Sequence, residues 1–508
     1  VSLGAALSIA TSGLQNINAR LGVVSNNVAN AGTADYSVET GNQQSLVAGA
    51  QPLGVQTEAT TRAINLAMQQ AAFRQDTTVA GLTTTTASLQ QLDALQGAPG
   101  KGSDLGSLLG NVQSAFTTLL GDPSSSAQQS AVVSAAGNLT GAINMLSNGY
   151  TQQRQAAQND IVTQVSNMNS DLGRIGALSD QIVTAQVSGR SAASLENQRD
   201  AVVHSLSNII GIKTLTQPNG DLLVTTASGS QLPTRGIANP IQTTGATIGA
   251  GASYAAGSIP AIMLGGVDIT NQLRGGALGA DITLRDSTLP TFQGELDEFS
   301  YSLASQFSAQ GLTLFSDPTG NVPAGGGAPV QSTYVGFASQ IQVNPAVRAA
   351  PSLVRDGTQG IAGSATGASA FTTNPAGGPA GFTTLINRVL DYSLGADAQS
   401  GVPQPASNIS GLGPDGTLSA PYAAPPTLAD NATAMISAQS AVSAAATGQL
   451  SSEQALQATL NANMQAVSGV NMDTEMSNMI ELENSYGANA RVISTVQSMF
   501  TQLLQVVQ

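Results

Sequence analysis

The sequence predicts a mainly α-helical protein with a small inserted β-domain, in which the two chain ends pair as helices. Three observations carry this reading. Apolar residues recur at heptad spacing at both termini, helical periodicity occupies both flanks of residues 213–271, and that interval shifts to β-branched runs with turn residues. The predicted architecture is a coiled-coil-like inner layer, a helical-bundle body and an outward β-domain. The boundaries are 1–32 with 468–508 for the terminal-helix domain, 33–212 with 272–312 and 335–467 for a discontinuous helical body, and 213–271 for the β-rich insert.

At the N-terminus Leu3, Leu7, Ala10, Leu14, Ile17, Leu21, Val24 and Val28 alternate spacings of four and three, and Arg20 is the one charged side chain of the segment. At the other end Met479, Leu482, Tyr486, Ile493, Val496, Phe500, Leu503 and Val507 keep the same rhythm, interrupted by polar Asn489. Their flanks are Ser, Thr, Asn, Gln, Gly and Ala rather than Lys and Glu, which predicts that the outer faces are covered too. An isolated helix of this length is marginal in water, so the ends are expected to be loose in a monomer and ordered by neighbours.

Between the ends, residues 64–212 read mostly as helix, with a break at Asp122-Pro123. Pro218-Asn219-Gly220-Asp221 lies between Thr214-Leu215-Thr216 and Leu223-Val224-Thr225, a hairpin signal. Helical periodicity resumes over 278–310 with an interruption near Pro290, and Gly- and Pro-rich stretches around 323–329, 357–381 and 399–426 read as surface loops. A helical return over 428–507 closes the chain. This order brings both termini together and nests each later domain inside the earlier one.

Only 9% of the 508 residues are charged, against roughly 25% in an ordinary soluble protein. A surface this neutral points to burial by copies of the chain or by partners. The net charge of −14 repels phosphate backbones and anionic headgroups, which argues against nucleic-acid and membrane partners. No run of about 18 apolar residues offers a membrane span, and the first residues lack the order of a cleaved signal peptide. Export without such a peptide is therefore expected if the protein leaves the cell. Cysteine is absent and His204 is the only histidine, so neither a thiolate nor a metal cluster is expected.

The stretch Ser25-Asn26-Asn27-Val28-Ala29-Asn30-Ala31-Gly32-Thr33-Ala34-Asp35-Tyr36-Ser37 is where the ends become recognisable. It resembles the N-terminal signature of flagellar rod, hook and hook-associated axial proteins, with Asn26, Asn27, Asn30, Thr33 and Tyr36 as the turn motif. Asn and Gly tolerate the conformation that stops a helix, and Thr33 and Ser37 can bond the backbone locally. The sequence departs from the family in having Ala34-Asp35 where Pro-Gly is usual and Val38 where Arg is common. The C-terminal stretch from Ser468-Gly469-Val470-Asn471 through Glu475 and Met479 to Leu504 is similar to the family's terminal helix.

Two body segments, Leu195-Glu196-Asn197-Gln198-Arg199-Asp200 with Leu206-Ser207, and Gly275-Gly276-Ala277-Leu278-Gly279 with Leu284-Arg285-Asp286 and Leu289-Pro290, flank the insert. They resemble the hook-associated branch that starts the hook-to-filament junction, and Ile341-Gln342-Val343-Asn344-Pro345 is a weaker match. The resemblance implies a structural, non-catalytic subunit outside the cell, assembled at the distal end of the hook. The partners it implies are copies of itself in a ring, the hook protein, the second junction protein, and an export chaperone on the C-terminal helix. The rival readings are a hook or distal-rod subunit and, from another class, a secreted cell-wall or glycan hydrolase.

Apparent enzyme motifs have simpler readings. Gly411-Leu412-Gly413-Pro414-Asp415-Gly416 matches a lone GxGxxG in a Pro-rich loop, without the strand and helix that would aim amides at a phosphate. His204 and Asp200, four apart, are read as a solvated ion pair. Glu295 with Asp297 and Glu298, Asp473 with Glu475, and Glu481 with Glu483 are read as solvated helix faces, not acid–base couples. No catalytic residue, cofactor or metal is expected.

Overall fold

The computed structural model describes residues 3–33, 35–48, 51–97, 102–236 and 239–507. Helix α1 (Leu3–Asn30) leads into a β-ladder, β1 (Glu39–Thr40) with β4 (Thr61–Arg62), which encloses a hairpin of β2 (Gln43–Ala48) and β3 (Gln51–Thr57). Residues 39–48 and 51–62, which the sequence reading places in the helical body, form these strands and their short connections instead. The strands are rich in Gln, Ser and Thr, and they reach α1 by polar contacts: the Val55 amide donates to Ser12 Oγ at 3.1 Å, and Asn16 Nδ2 to Thr57 Oγ1 at 3.1 Å.

The body begins with α2 (Leu66–Gln96), α3 (Leu105–Gly121), α4 (Ser126–Val187) and α5 (Ala193–Ile209). Asn65, Asp104 and Ser125 cap the first three by accepting backbone amides of the opening turn, and α3 ends one residue before Asp122-Pro123. The β-region follows as two three-stranded sheets. One is ordered β5 (Ile212–Thr216), β6 (Leu222–Thr226), β7 (Gln231–Leu232); the other joins β8 (Ile241–Gln242), β9 (Met263–Leu264) and β10 (Val267–Asp268), with β9 central. In the first hairpin Leu215 pairs with Leu223, and Gly220 takes the left-handed turn at φ 85°.

This β-region shares a core with the helices. Val224, Leu232, Ile241 and Ile262 pack with Ile161, Met168 and Ile175 of α4 and with Val202 and Leu206 of α5. Buried Arg154 of α4 pins the loop between β8 and β9, donating to the Gly249 and Ala252 carbonyls.

Helix α6 (Gly276–Thr283) packs closely on α2 and α5 because Gly276 sits at φ 63°, where an added Cβ would lie 2.4 Å from the Ile209 carbonyl oxygen. A five-residue π turn, Leu284–Thr288, joins α6 to α7 (Leu289–Ala309). The expected interruption at Pro290 takes this form: proline has no N–H to give the ladder, and the wider turn accommodates the missing bond. Short helices α8 (Pro345–Ala349), α9 (Leu353–Asp356) and α10 (Thr384–Arg388) punctuate the Gly- and Pro-rich segments. These segments are not all surface: Phe371 and Leu412 are buried.

The return is made by α11 (Leu428–Ser468), which runs along α2, and α12 (Met472–Val507), which pairs with α1. No helix among the described residues is long and apolar enough to cross a membrane.

The carboxylates read as solvated require correction. Glu295, Asp297 and Glu298 are buried, because α7 is surrounded by α4, α11 and the loops of residues 331–338 and 408–413. Asp297 accepts the Gly336 and Ala338 amides, Glu298 the Tyr334 hydroxyl and Asn408 amide, and Glu295 the side chain of Gln439. Burial pushes the Glu295 and Asp297 carboxyls up to about 7. Each accepts at least one hydrogen bond from a distant segment packed on α7, as buried polar groups do, although Glu295 Oε1 has no partner among the described residues. Glu475 is also buried, whereas Asp473, Glu481 and Glu483 are exposed.

Candidate functional site: an assembly interface

The terminal seam is a helix pair with a thin core. Ile17, Val24 and Leu482 are buried against one another, and Leu21, Val28 and Met479 pack around them half-covered. Higher on the pair Ala10 and Val496 are buried, and Leu3, Leu7, Leu14, Ile493 and Phe500 are half-buried. Tyr486 and Leu503 lie exposed, 40% and 56%. The Val507 side chain lies outside the described residues. Asn489, the polar break in the heptad, faces Gly13: a Cβ there would come within 3.3 Å of Asn489 Oδ1. A small residue opposite a polar one leaves room for the amide.

Helix α12 carries more apolar surface than α1 covers. Met476, Ile480, Val492, Met499 and Leu504 are exposed on both flanks of the seam, alongside Tyr486 and Leu503. The adjacent face of α1, through Ser12 and Asn16, meets the β2–β3 hairpin, in which Leu46, Val47 and Leu53 are exposed. Helix α1 therefore contacts both α12 and the hairpin, and each of these two carries exposed apolar side chains. Apolar side chains exposed together along one element are a feature of interaction surfaces.

The turn motif makes the joint between this module and the body. The Asn27 side chain uses its full bonding capacity: Oδ1 accepts the Tyr36 hydroxyl and the Glu39 amide, both at 3.0 Å, while Nδ2 donates to the Glu39 carbonyl at 2.8 Å and to Glu475 Oε2 at 3.1 Å. It ties α1, β1 and α12 at one point. Asn30 Nδ2 donates to the Asn26 carbonyl, and the Thr33 hydroxyl donates to Asn30 Oδ1. Asn27, Asn30, Thr33 and Tyr36 thus converge, whereas the Asn26 side chain is exposed and only its carbonyl takes part. Burial, with Glu39 and Glu475 nearby, pushes the Tyr36 phenol up to about 12. Burial also raises the Glu39 carboxyl.

The body side of the joint is the 195–200 motif on α5. Asn197 donates to the Ser37 carbonyl and to Glu39 Oε1, and Arg62 grips Glu196 at 3.0 Å, Asn197 Oδ1 at 3.0 Å and Asp200 at 2.7 Å. Arg199 reaches the other way, donating to the Gly220 carbonyl of the β5–β6 turn at 2.7 Å. The motif therefore links the terminal module to the body and, through the same helix, to the β-region.

The pairing of His204 with Asp200 is not formed, because Arg62 and Gln69 already occupy Asp200. His204 Nδ1 instead lies 2.5 Å from Asp35 Oδ2, and Nε2 lies 3.1 Å from Asp76 Oδ2. Sequence reasoning missed Arg62, Asp35 and Asp76. One signal was present: two carboxylates one turn apart on a helix, Glu196 and Asp200, call for a cation.

Comparison with known proteins gives a consistent neighbourhood. The family model of the flagellar hook-associated protein FlgK helical domain matches residues 89–321, and that of the flagellar basal body rod FlgEFG protein C-terminal region matches residues 461–506. Flagellar hook-associated protein 1 of Salmonella typhimurium is 27% identical over 322 residues, covering 59% of this chain and 55% of that protein. The chain thus spans about half the length of this Salmonella relative. The Escherichia coli K12 protein of the same name is 23% identical over 559 aligned positions, 98% of each chain. Among solved structures, the flagellar hook junction protein FlgK from Burkholderia pseudomallei aligns with a TM-score of 0.41 at 24% identity, covering 50% of this chain and 46% of that one.

Proposed function

We propose that this chain, which belongs to the flagellar hook-associated protein 1 family, is a structural axial subunit that assembles at the distal end of the hook and joins hook to filament. The observation that carries the reading is the apolar surface of α12 left over after pairing with α1. Copies of the chain in a ring cover that surface, and the assembled ring presents faces to the hook protein below and to the second junction protein above. Before assembly the same surface of α12 suits an export chaperone. Passage through the organelle's own channel fits a chain without cysteine, which has no disulfide to form or break. No catalytic role is assigned to any residue.

The mechanism is coupled ordering and assembly. Each buried Leu, Ile or Phe contributes roughly 1.5–3 kcal/mol, and fixing the backbone costs about 1–2 kcal/mol per residue. A helix pair with three fully buried apolar side chains in its central cluster gains its stability mainly when neighbours cover the rest. The seam residues Leu14 and Phe500 are half-buried, so a charge at either meets the same cover. The test is incorporation of Leu14→Glu, Phe500→Glu and Ile480→Glu chains into hook-basal structures. Monomers with an unchanged body and no incorporation are expected. Normal incorporation of Ile480→Glu and Phe500→Glu together would refute the reading.

A further inference from the structure

His204 is the chain's only histidine, and its ring stands between two carboxylates from different elements. Asp35, in the turn that leaves α1, faces Nδ1 at 2.5 Å; Asp76, on α2, faces Nε2 at 3.1 Å. A neutral imidazole has one N–H and would turn a lone pair toward one carboxylate, so this geometry calls for the doubly protonated ring. Phe73 stacks on that ring with centroids 5.8 Å apart, and Asp76 also accepts from Gln457 of α11 at 2.6 Å. The turn after α1, α2, α5 and α11 thus meet at one cation.

Two further features mark this point as mechanical. Asp35 is held at φ 62°, a left-handed conformation that a residue with a side chain adopts at a cost and that the ion pair helps to maintain. A cavity of about 300 Å³ lies beside it, lined by Thr33, Ile64, Phe73, Met464 and Val470, so the turn has space to move into. The Arg62 clamp attaches the module to the same helix α5 one and two turns earlier, at Asp200 and Glu196, which leaves a pivot if the His204 contact opens.

We propose that His204 is a charge-operated latch: its imidazolium, gripped by Asp35 and Asp76, fixes the angle between the terminal helix pair and the body, and loss of one proton frees the pair to pivot about Arg62. The latch belongs to the single chain and does not depend on the assembly reading. The charged and titratable groups around the ring are Asp35 and Tyr36 from the turn, with Glu39 and Glu475 behind Tyr36, Asp76 from α2, and Asp200 on α5. Helix α11 presents neutral Asn461, Met464 and Gln465. Hydrogen bonding to Asp35 and Asp76 raises His204 to about 10, against the opposing effect of burial. The contribution to closure is therefore complete below the imidazole's ordinary range near 6.5 and is lost as pH rises through about 10.

The absence of cysteine allows a single label pair in the full chain, at exposed Ser477→Cys on α12 and Ser166→Cys on α4. Pulsed electron spin resonance at pH 7 is expected to give one narrow distance distribution. It should broaden near pH 10, with the open fraction rising on the order of 10-fold per pH unit. His204→Gln and Asp35→Asn should be broad already at pH 7, and His204→Gln should show no alkaline transition. Asn tolerates the left-handed turn, so Asp35→Asn decides the matter if circular dichroism shows that His204→Gln has lost its helices. Narrow distributions in the folded variants at pH 7, a wild type unchanged to pH 11, or the same alkaline transition without His204 would each overturn the latch.

Discussion

The helical body and the terminal helix pair are built from similarly apolar helices, yet they reach different degrees of completion. In the body, Phe116, Phe299, Phe307, Phe315, Leu139 and Ile143 are fully buried in one continuous core that runs through α3, α4, α7 and the loops around them. In the pair, Ile17, Val24 and Leu482 make a small core, Ala10 and Val496 are buried above it, and Met476, Ile480, Tyr486, Val492, Met499, Leu503 and Leu504 of α12 stay exposed. The difference teaches that periodicity alone does not tell a finished interface from an unfinished one. The finished one is surrounded on all sides by its own chain.

The strongest way to break the comparison is to show that both regions respond alike to lost packing. Phe307 meets Phe116 and Phe315 edge-on or tilted, with centroids 6.2 Å and 5.1 Å away. Phe307→Ala is expected to cost about 3–5 kcal/mol and to lower the main thermal transition seen by calorimetry. Leu482→Ala should cost about 2 kcal/mol at the low end of such truncations, and the cost should be local. Hydrogen exchange would quicken over α1 and α12 while the calorimetric transition stays in place. A shift of the main transition by Leu482→Ala equal to that by Phe307→Ala would show that pair and body are one cooperative unit.

The legibility of the two regions in the sequence follows the same division. The terminal seam is readable because its period is regular and Arg20 is the one charge of its N-terminal half, and the turn is marked by Asn27, Asn30 and Tyr36 at a helix end. The β2–β3 hairpin was not readable: Gln43-Gln44-Ser45 and Gln51-Pro52 look like loop, and the strands hold α1 through Ser12 and Asn16, contacts that no apolar period reports. The burial of Glu295, Asp297 and Glu298 was hidden for another reason. Neighbouring positions on a helix point in different directions, so all three are buried only when the helix is enclosed, and enclosure depends on loops more than 30 residues downstream. His204 was assigned the wrong carboxylate because Asp35 is 169 residues away and Asp200 only one turn.

The enclosure of α7 gives the body a pH signature of its own. Burial raises Glu295 and Asp297 to about 7 in the folded chain, above the ordinary carboxylate range near 4. The folded state then holds protons that the unfolded state has released, so the contribution of these two carboxyls to stability falls as pH rises from about 4 to about 7 and is constant above. Glu295→Gln, which keeps an acceptor and supplies a donor, should remove roughly 3 kcal/mol of that dependence. Urea midpoints measured from pH 4 to pH 8 report it, and an unaltered slope in Glu295→Gln would mean that Glu295 is ionised throughout.

The smallest expected effect sharpens the boundary between the regions. Ser12 Oγ accepts the Val55 amide across a site where Gly54, at φ 135°, lets the backbone approach; a Cβ on Gly54 would collide with that hydroxyl. Ser12→Ala removes the half-buried hydrogen bond from the Val55 amide, worth about 1 kcal/mol, together with the bond that the hydroxyl donates to the Ile9 carbonyl within α1, and leaves the seam residues unchanged. If α1 is held chiefly by α12, the variant should speed exchange of the Val55 amide and leave α12 as protected as before. If the hairpin carries α1, α12 should lose protection with it, and the layer that organises the terminal module would be the β2–β3 hairpin, not the helix seam.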